Sequence, residues 1–502
     1  METKKIFGPP GTGKTTFLLN TVEQLLNEGI PPERIGYFAF TRKAAHEAKE
    51  RALKKFPHLN AKSFTNFRTI HSLSFVSLGI RNEQVLKDSH IREFSQEIGI
   101  QLKFSQGDES WEVSVDHPAF AVMHLARQKM VDLQVAYNAS ELQMTWFEFK
   151  FLHDSYRQFL LNNHLYDFTD MLEMFSNAFD DAYPSFDAVI IDEAQDLTPL
   201  QWKIAKRLLD KTNISYVAGD DDQAIFGWSG ADVTALLTLP GENVVLEQSY
   251  RVPQAIHDLS AEIIQRVRYR VDKEWKPMDT EGAIHKIFNV RSIDFENIEG
   301  NWMVLASTNY MLNEIHEHLK SVGILFERNH VRSISEGTVD SVYAWERLRK
   351  GDSISAKEVK NIYNLLGPGM VRRGFKKFDG PDTQLYSFEE LTTSHGLDIA
   401  KETPWYEALV RIPEPQEVYI RAALRRGQSL RGEPRIRLST IHGAKGGEAD
   451  NVALHMDLSS KFMDLYHQKP DDIHRLFYVA VTRAKKNLYL VLPKDYSKAF
   501  HI

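Results

Sequence analysis

The sequence of 502 residues contains no cysteine. Disulfide bonds, thiolate zinc sites and cysteine nucleophiles are therefore excluded, and a reducing, cytoplasmic location is the expectation. No run of about twenty apolar residues occurs, so we predict no membrane-spanning helix and no membrane partner. An excess of basic residues is also lacking, because the net charge is −7. Binding to nucleic acid would thus depend on a local groove and not on total charge.

The composition is that of an ordinary globular protein, with 42% hydrophobic and 26% charged residues. The length exceeds what one hydrophobic core supports and predicts about three or four domains. Strand-like and helical patterns alternate near the start, which is typical of parallel βαβ units. Aromatic-rich helical patterns over 78–165 and a weak strand signal over 330–433 interrupt this alternation. We therefore predict two α/β domains, each carrying an insert.

A glycine-rich segment near the amino terminus fits the G-x-x-x-x-G-K-[ST] pattern of a phosphate-binding P-loop. It consists of Gly8, Pro9, Pro10, Gly11, Thr12, Gly13, Lys14 and Thr15. Glycine lets backbone N–H groups approach phosphate oxygens closely. Lys14 would then reach the β- and γ-phosphates, and the Thr15 hydroxyl would bind Mg²⁺. The alternative is a glycine-rich turn without a ligand.

Two carboxylates follow an apolar run, Ala188–Ile191, which predicts a buried parallel strand. Asp192 and Glu193 would lie at the carboxyl edge of the sheet, where α/β proteins bind ligands. In that position Asp192 would bind Mg²⁺ and Glu193 would deprotonate the attacking water. The alternative is an exposed acidic pair that caps the following helix.

A third segment, residues 219–230, places Gln223 after a predicted strand, where it can sense a γ-phosphate. Phe226 and Trp228 alternate with a small residue, so both rings can project to one side. Aromatic rings beside such a glutamine suggest stacking on nucleobases, at about 1–3 kcal/mol per base. The alternative is that both rings belong to the core.

Nine segments in this order resemble the motifs of superfamily 1 DNA helicases of the UvrD/Rep/PcrA type. They read GPPGTGKTT, AFTRKAAHEAKER, TIHSLS, YDFTDML, IDEAQD, GDDDQAIFGWSGA, LEQSYR, LSTIHGAKGGEADNV and RLFYVAVTRAKKNL. The resemblance implies two RecA-like P-loop motor domains with parallel sheets, each interrupted by a mainly helical or mixed accessory insert. The implied boundaries are 1–77 and 163–243 for motor domain 1A, 78–162 for insert 1B, 244–329 and 434–502 for motor domain 2A, and 330–433 for insert 2B.

The resemblance also implies roles for individual residues. Those that act in ATP hydrolysis are Lys14, Glu193, Gln223, Arg251 and Arg483, the two arginines reaching the γ-phosphate from the second motor domain. The P-loop residues with Thr16, Tyr250 and Glu448 bind the nucleotide, Tyr250 stacking on adenine and Glu448 lying near the ribose. Thr15 and Asp192 hold Mg²⁺. The contacts to single-stranded DNA are Phe40, Thr41, His71, Phe226, Trp228 and His442.

The implied protein is an ATP-dependent DNA helicase that moves 3′-to-5′ on single strands and at single-strand/duplex junctions, as a monomer, with replication or repair proteins as candidate partners. Two alternatives stay open: a translocase that displaces proteins with little unwinding, and a DNA-binding regulator switched by ATP. Intact Glu193 argues against the switch. Thr16 stands where relatives often carry arginine, and no upstream glutamine motif is found, so we expect relaxed nucleotide choice. Gly447 replaces a usual leucine, and we expect it to add flexibility.

Overall fold

The structure is a computed structural model that describes residues 2–102, 104–106 and 113–502. The strands, in chain order, are β1 (Glu2–Phe7), β2 (Ile35–Phe38), β3 (Phe67–Arg68), β4 (Phe104–Gln106), β5 (Val113–Val115), β6 (Ala188–Ile191), β7 (Ile214–Gly219), β8 (Glu242–Val245), β9 (Ala283–Ile287), β10 (Trp302–Ala306), β11 (Phe326–Arg328), β12 (Val331–Arg332), β13 (Ile354–Ser355), β14 (Leu385–Tyr386), β15 (Ile436–Thr440), β16 (Ala449–His455) and β17 (Ala484–Val491).

The α-helices connect these strands and form the inserts. In chain order they are α1 (Lys14–Asn27), α2 (Arg42–Lys55), α3 (Ile70–Ser77), α4 (Asp88–Ile98), α5 (Pro118–Lys129), α6 (Leu133–Asn138), α7 (Trp146–Asn162), α8 (Phe168–Ser176), α9 (Pro199–Asp210), α10 (Val233–Leu237), α11 (Gln254–Ile264), α12 (Asn313–Ser321), α13 (Glu336–Lys350), α14 (Ala356–Leu365), α15 (Phe388–Ser394), α16 (Trp405–Ala408), α17 (Glu414–Arg425), α18 (Ser460–Gln468) and α19 (Pro470–Val481). Among the described residues, no helix has both the length and the hydropathy needed to cross a membrane.

The chain divides into two compact units. The first consists of Met1–Glu281 and Leu465–Thr482, and the second of Gly282–Asp464 and Arg483–Ile502. Helix α19 therefore belongs to the first unit, although the implied boundaries assign it to the second motor domain.

The implied boundary between residues 243 and 244 falls inside strand β8. This strand pairs in parallel with β1 of the first unit, with Ile6 opposite Val244 and Phe7 opposite Val245. The pairing extends the first sheet by one strand, and the first compact unit continues to residue 281. The finer division into two motor domains and two inserts stays a prediction.

The first unit is built on a six-stranded parallel sheet with the order β3-β2-β6-β7-β1-β8. Strands β2 and β6 are buried along their whole length. Burial on both faces explains why Ala188–Ile191 reads as an unbroken apolar run. All six strands point the same way, so the loops that follow β1, β6 and β7 meet at the carboxyl edge of the sheet.

The helical stretch within 78–162 has an apolar core of its own, and residues 103 and 107–112 of this predicted insert lie outside the described residues. Its core includes Phe94, Phe120, Phe149 and Phe159. Helices α4 to α7 form this region together with the antiparallel pair β4–β5. The insert thus packs as a separate layer of the first unit.

Two arginines of this insert, Arg127 on α5 and Arg157 on α7, pair with carboxylates of the returning chain. Arg127, at the end of α5, donates to Asp167 Oδ2 at 2.8 Å and to Asp170 Oδ1 at 2.7 Å. It also donates to both carboxylate oxygens of Glu173, at 3.0 and 2.7 Å. These acceptors lie in and just before α8, the helix that returns the chain to the first sheet. Arg127 and Asp170 are largely buried, so the pairing is not a solvated surface contact.

The second unit is built on a seven-stranded sheet with the order β12-β11-β15-β10-β16-β17-β9. Its strands run parallel except β12, which pairs antiparallel with β11. The largely helical stretch 330–433 shares one apolar core with this sheet, including Trp302, Phe326, Trp345 and Tyr363. One parallel sheet and one mainly parallel sheet, each with an inserted helical stretch, confirm the predicted α/β fold class.

Replacing Arg127 by Met should destabilise the first unit by about 3–5 kcal/mol, because the buried Asp167 would lose its paired cation and Asp170 would keep only Arg157. The exposed Arg92, which pairs with Asp88 on the same helix, offers a matched control. Arg92→Met should change the free energy of unfolding by less than about 1 kcal/mol. Differential scanning calorimetry of both variants checks this expectation, and equal melting temperatures for the two would contradict it.

Candidate functional site

The loop between β1 and α1 has the conformation that its glycines allow. The Gly8 N–H donates to the Gly219 carbonyl at 3.0 Å. Gly11 and Gly13 have φ values of +74° and +75°, in the left-handed region. A Cβ built on Gly11 would lie 2.3 Å from the Cβ of Arg251, so only glycine fits there. Helix α1 begins at Lys14 and directs its amino-terminal N–H groups toward the loop, an arrangement that binds anions.

Lys14 carries the positive charge of this loop. Its Nζ lies 2.9 Å from Glu193 Oε1. Burial lowers the pKa of Lys14, but the carboxylates of Glu193 and Asp192 outweigh burial, and the net pKa is raised. Lys14 therefore stays protonated over the whole physiological range and presents a permanent cation at the carboxyl edge of the sheet.

Asp192 lies directly after β6 and is buried, with both carboxylate oxygens held in place. Tyr37 on β2 donates its hydroxyl to Oδ2 at 3.0 Å, and the Glu193 N–H donates to Oδ1 at 2.9 Å. Burial and the neighbouring Glu193 raise the pKa of Asp192 to about 6, against the opposing effect of Lys14. The predicted helix-capping alternative is wrong, because Asp192 is buried and Thr198 caps the next helix, α9.

Glu193 has a backbone conformation that side chains rarely adopt, with φ at +55°. Its carboxylate accepts a hydrogen bond from Gln195 Nε2 in addition to its pairing with Lys14. The Gln195 Oε1 in turn accepts the Asp220 N–H at 3.0 Å. Backbone strain of this kind concentrates at functional sites, where the surrounding contacts hold it. Gln195 and Tyr37 are contributors that the sequence motifs did not single out.

The donor set at this edge suits a phosphate with its magnesium ion. Mg²⁺ prefers hard oxygen ligands and takes few of them from the protein. The Asp192 carboxylate and the Thr15 hydroxyl on the first turn of α1 are such ligands. Lys14, the loop N–H groups and the α1 amino terminus supply the positive potential that phosphate requires. These residues therefore fit a magnesium nucleotide.

Residues 219–230 connect this edge to an aromatic surface. The Gln223 Nε2 donates to Asp220 Oδ2 at 2.7 Å, beside the acidic pair. Further along, the Phe226 ring stacks on Phe40 with centroids 5.8 Å apart and lies 6.4 Å from the Trp228 ring. Trp228 is 63% exposed. The alternative that both rings belong to the core is therefore wrong for Trp228, and the three rings form one aromatic row.

A cavity of about 370 Å³ opens beside Trp228. Most of its wall is apolar and comes from the insert, and a few polar side chains point into it. Its lining includes Phe120, His124, Phe168, Thr169 and Trp228. The cavity is thus bounded on one side by the aromatic row and on the other by the insert.

Two of the predicted DNA contacts have structural partners of their own. The Thr41 side chain caps α2 by accepting the Ala44 N–H. His71 is buried, 7% exposed, with its ring 6.4 Å from that of Phe168. Burial, followed by His124 and Arg42, lowers the pKa of His71 to about 3. His71 is therefore neutral and lies behind the cavity wall, and the structure does not bring it to the surface.

Tyr250 and Arg251 lie against the P-loop within the first unit, although the resemblance implies that Arg251 comes from the second motor domain. The Tyr250 N–H donates to the Gly11 carbonyl at 2.9 Å, and Ser249 Oγ donates to the Pro10 carbonyl at 2.8 Å. The Tyr250 ring is 73% exposed beside the loop. This position leaves the ring available for stacking on a base.

The remaining predicted residues belong to the second unit. Arg483 is buried and donates to the Gly447 carbonyl at 3.1 Å. The exposed Glu448 pairs with Lys485 at 3.2 Å. The His442 ring lies 6.3 Å from Phe462. These three predicted residues therefore lie in or around the turn that follows β15.

Gly447 has a packing role that the sequence did not indicate. A Cβ at this position would lie 3.1 Å from Met303 Cε and 3.2 Å from the Ala444 carbonyl oxygen. Gly447 does not have a positive φ, since it is not among the glycines in that region. The glycine thus permits a close approach to β10, and the structure gives it a steric reason besides the expected flexibility.

Comparison with known proteins places these features in a family. The UvrD/REP helicase N-terminal domain matches residues 2–242, and the UvrD-like helicase C-terminal domain matches residues 394–495. A probable DNA helicase II homolog of Mycoplasma genitalium is 23% identical over 97% of this chain and 82% of its own length. A probable DNA helicase II homolog of Mycoplasma capricolum is 27% identical over 65% of this chain and 47% of its own length.

The ATP-dependent DNA helicase PcrA of Staphylococcus aureus is 26% identical over 72% of this chain and 51% of its own length. The matched region thus spans about half of the length of the M. capricolum and S. aureus relatives. Both UvrD-like domains are matched in the order that the motifs predict, on a fold with two parallel sheets. The chain therefore belongs to the UvrD-type family of superfamily 1 DNA helicases.

Proposed function

We propose that this protein is an ATP-dependent DNA helicase that moves 3′-to-5′ along single-stranded DNA. The observation that carries the proposal is the position of residues 219–230. This segment contacts the P-loop through Gly219, is joined to Glu193 through Asp220 and the intervening Gln195, and ends in the aromatic row, where Trp228 is exposed. A change at the nucleotide is therefore transmitted to the strand-binding surface over a few residues of one loop.

The nucleotide chemistry follows from the charges at the carboxyl edge of the first sheet. Lys14 binds the β- and γ-phosphates, and Glu193 accepts the proton of the attacking water. Mg²⁺, held by Thr15 and Asp192, would supply positive charge to the phosphate oxygens. The guanidinium groups of Arg251 and Arg483 stabilise the charge that develops on the transferred phosphoryl group. We infer that closure of the two motor domains around ATP brings Arg483 to the phosphate, whereas Arg251 already lies beside the P-loop in the first unit.

The strand contacts follow from the aromatic row. The exposed Trp228 ring would stack on a base, beside the half-buried Phe226 and Phe40 rings that stack on each other, and such stacking tolerates any sequence. The cavity beside Trp228, about 370 Å³, has room for one unstacked base. Thr41, His71 and His442 complete the proposed set by their place in the motifs. Because His71 is buried, it would contact the DNA strand only if the strand entered the cavity or a neighbouring side chain moved aside.

The proposal extends to selectivity and partners. The exposed Tyr250 ring beside the P-loop fits a stacking role for adenine, and Glu448 would lie near the ribose. Stacking accepts any purine, so hydrolysis of GTP within about tenfold of ATP is part of the proposal. The protein would act as a cytoplasmic monomer at single-strand/duplex junctions, in DNA replication or repair.

The direct test is steady-state ATP hydrolysis with and without single-stranded DNA. The proposal expects turnover that requires Mg²⁺ and rises strongly when the strand is added. Equal turnover in the presence and absence of DNA would contradict a motor. Strong DNA binding without any turnover would favour the ATP-switched regulator.

Glu193→Gln should reduce ATP turnover by about 10²–10⁴-fold, because the amide cannot accept the proton from water. Nucleotide binding should be retained, since Lys14 and Asp192 are unchanged. Glu47→Gln on the exposed face of α2 is the matched control and should hydrolyse ATP normally. Turnover by Glu193→Gln close to that of the unchanged protein would show that another group is the base.

Nucleotide binding that depends on Mg²⁺ should weaken as the pH falls through about 6. The raised pKa means that Asp192 takes up its proton in this range, and a protonated carboxyl does not bind Mg²⁺. Fluorescent-nucleotide titrations from pH 5 to 8 measure the effect. Asp192→Asn lacks the titrating group and should bind weakly at every pH. The same pH dependence in both proteins would contradict the assignment of Asp192.

Trp228→Ala should lose about 1–3 kcal/mol of single-strand affinity, the range for one stacked base. The slope of log affinity against log salt should stay the same, because phosphate contacts determine that slope. Phe179→Ala removes an aromatic ring that is also exposed but precedes β6, away from the carboxyl edge, and should bind DNA normally. Fluorescence anisotropy over a range of salt concentrations checks both variants. An unchanged affinity of Trp228→Ala would rule out stacking.

A further inference from the structure

Three consecutive aspartates lie at the start of the segment that carries Gln223. Asp220, Asp221 and Asp222 have side chains that are 0–1% exposed. Buried carboxylates are expensive unless a cation and hydrogen bonds compensate for the lost water. The cations that pair with these carboxylates are Arg270 and Lys273, which follow α11 and lie outside the helicase motifs.

Lys273 is the cation shared by all three aspartates. Its Nζ lies 2.9 Å from Asp222 Oδ2 and 3.4 Å from Asp220 Oδ1, and it donates to Asp221 Oδ1. The Lys273 side chain is itself fully buried. Its Nζ also lies 5.6 Å from the centre of the Phe7 ring, on the strand that leads into the P-loop.

Other residues hold two of the three aspartates, Asp221 and Asp222. Arg270 makes a bidentate pair with Asp222, with both distances at 2.8 Å. The Val271 N–H donates to Asp221 Oδ2 at 2.8 Å. On the other side, Arg475 of α19 donates to the Asp221 carbonyl at 2.9 Å. The aspartates are thus fixed from several directions, but only Lys273 contacts Asp220 among the basic side chains that the structure describes.

Asp220 connects this cluster to the chemistry. Its Oδ2 accepts the Gln223 amide at 2.7 Å, and its N–H donates to Gln195 Oε1 at 3.0 Å. Gln195 in turn donates a hydrogen bond to the Glu193 carboxylate, so the position of Asp220 affects the orientation of Glu193. The ion pair between Lys273 and Asp220 and the hydrogen bonds of Asp220 therefore connect Lys273 to the proposed phosphate sensor and, through Gln195, to the proposed base.

We propose that Lys273 is a positioning residue for ATP hydrolysis, which holds Gln223 and Glu193 in place through Asp220. The inference rests on the proposed function, because it assigns roles within the same nucleotide site. Lys273 does not touch the nucleotide. It keeps the Asp220 side chain ionised and oriented, so that Gln223 meets the γ-phosphate and Glu193 meets the water in a fixed geometry.

The test compares Lys273→Met, which removes the charge at similar length, with Lys273→Arg, which keeps it. Lys211→Met, at a partly exposed lysine paired with Asp180, controls for the loss of a lysine. The readouts are ATP turnover and the separate affinities for fluorescent ADP and for a non-hydrolysable ATP analogue. ADP contacts the P-loop, whereas only ATP presents the γ-phosphate to Gln223. A general loss of structure would weaken both affinities together.

Lys273→Met should hydrolyse ATP about 10²-fold more slowly, the size of effect for a displaced catalytic group. It should bind ADP as the unchanged protein does and lose its preference for the ATP analogue. Lys273→Arg should recover most of the turnover, and Lys211→Met should be normal. Normal turnover with a normal preference for the ATP analogue in folded Lys273→Met would overturn the proposal.

If Lys273→Met does not fold, the double variant Asp221→Asn/Lys273→Met removes one carboxylate together with the cation and lowers the excess of buried charge. It should fold and show the same catalytic loss, because Asp220 still lacks its cation. Full turnover in the double variant would overturn the proposal. If the unchanged protein neither binds nor hydrolyses ATP, the proposed function itself is wrong. This measurement comes before any variant is made, so the two failures can be told apart.

Discussion

The contact that the rest of the site depends on is the attachment of residues 219–230 to the first sheet by buried charges and backbone hydrogen bonds. At one end the Gly219 carbonyl accepts the Gly8 N–H, which ties the segment to the P-loop. At the other end Phe226 stacks on Phe40. Because the segment is held at both ends, the nucleotide site and the aromatic row have a fixed relation within the first unit. A looser segment would let either surface move without the other.

The parallel sheet makes this attachment possible. Strands β1, β6 and β7 are neighbours and end at the same edge, so the P-loop, the acidic pair and residues 219–230 meet without long connections. The insert adds a wall beyond Trp228, and Arg127 anchors that insert to α8. The cavity lies beside Trp228 because the insert packs next to this end of the aromatic row.

Structural features that depend on consecutive residues could be predicted from the sequence. Contacts between residues far apart in the chain could not. The apolar run before Asp192 and the glycine spacing of the P-loop identify a strand edge and a phosphate loop directly. Tyr37, however, bonds to a residue 155 positions away, and Lys273 bonds to one 52 positions away. No local pattern marks such pairs.

The place of strand β8 and the burial of His71 both depend on partners that lie elsewhere in the chain. Strand β8 is short and its first residues are exposed, so its sequence has no clear strand pattern. Its position at the edge of the first sheet depends on the pairing with β1. His71 matches a motif, yet its depth depends on Phe168 and on the insert, which the motif does not contain. A motif match therefore does not by itself predict how accessible a residue is.

The central claim is that ATP hydrolysis drives directed movement of this chain along one DNA strand. Strand displacement from 3′-tailed, 5′-tailed and blunt duplexes, measured with ATP turnover in the same reactions, tests it most directly. We expect strand displacement from the 3′-tailed duplex alone, and ATP turnover with a single-stranded tail of either polarity. Turnover that depends on DNA but leaves every duplex intact would contradict the helicase and indicate a translocase, and displacement from the 5′-tailed duplex would contradict the direction.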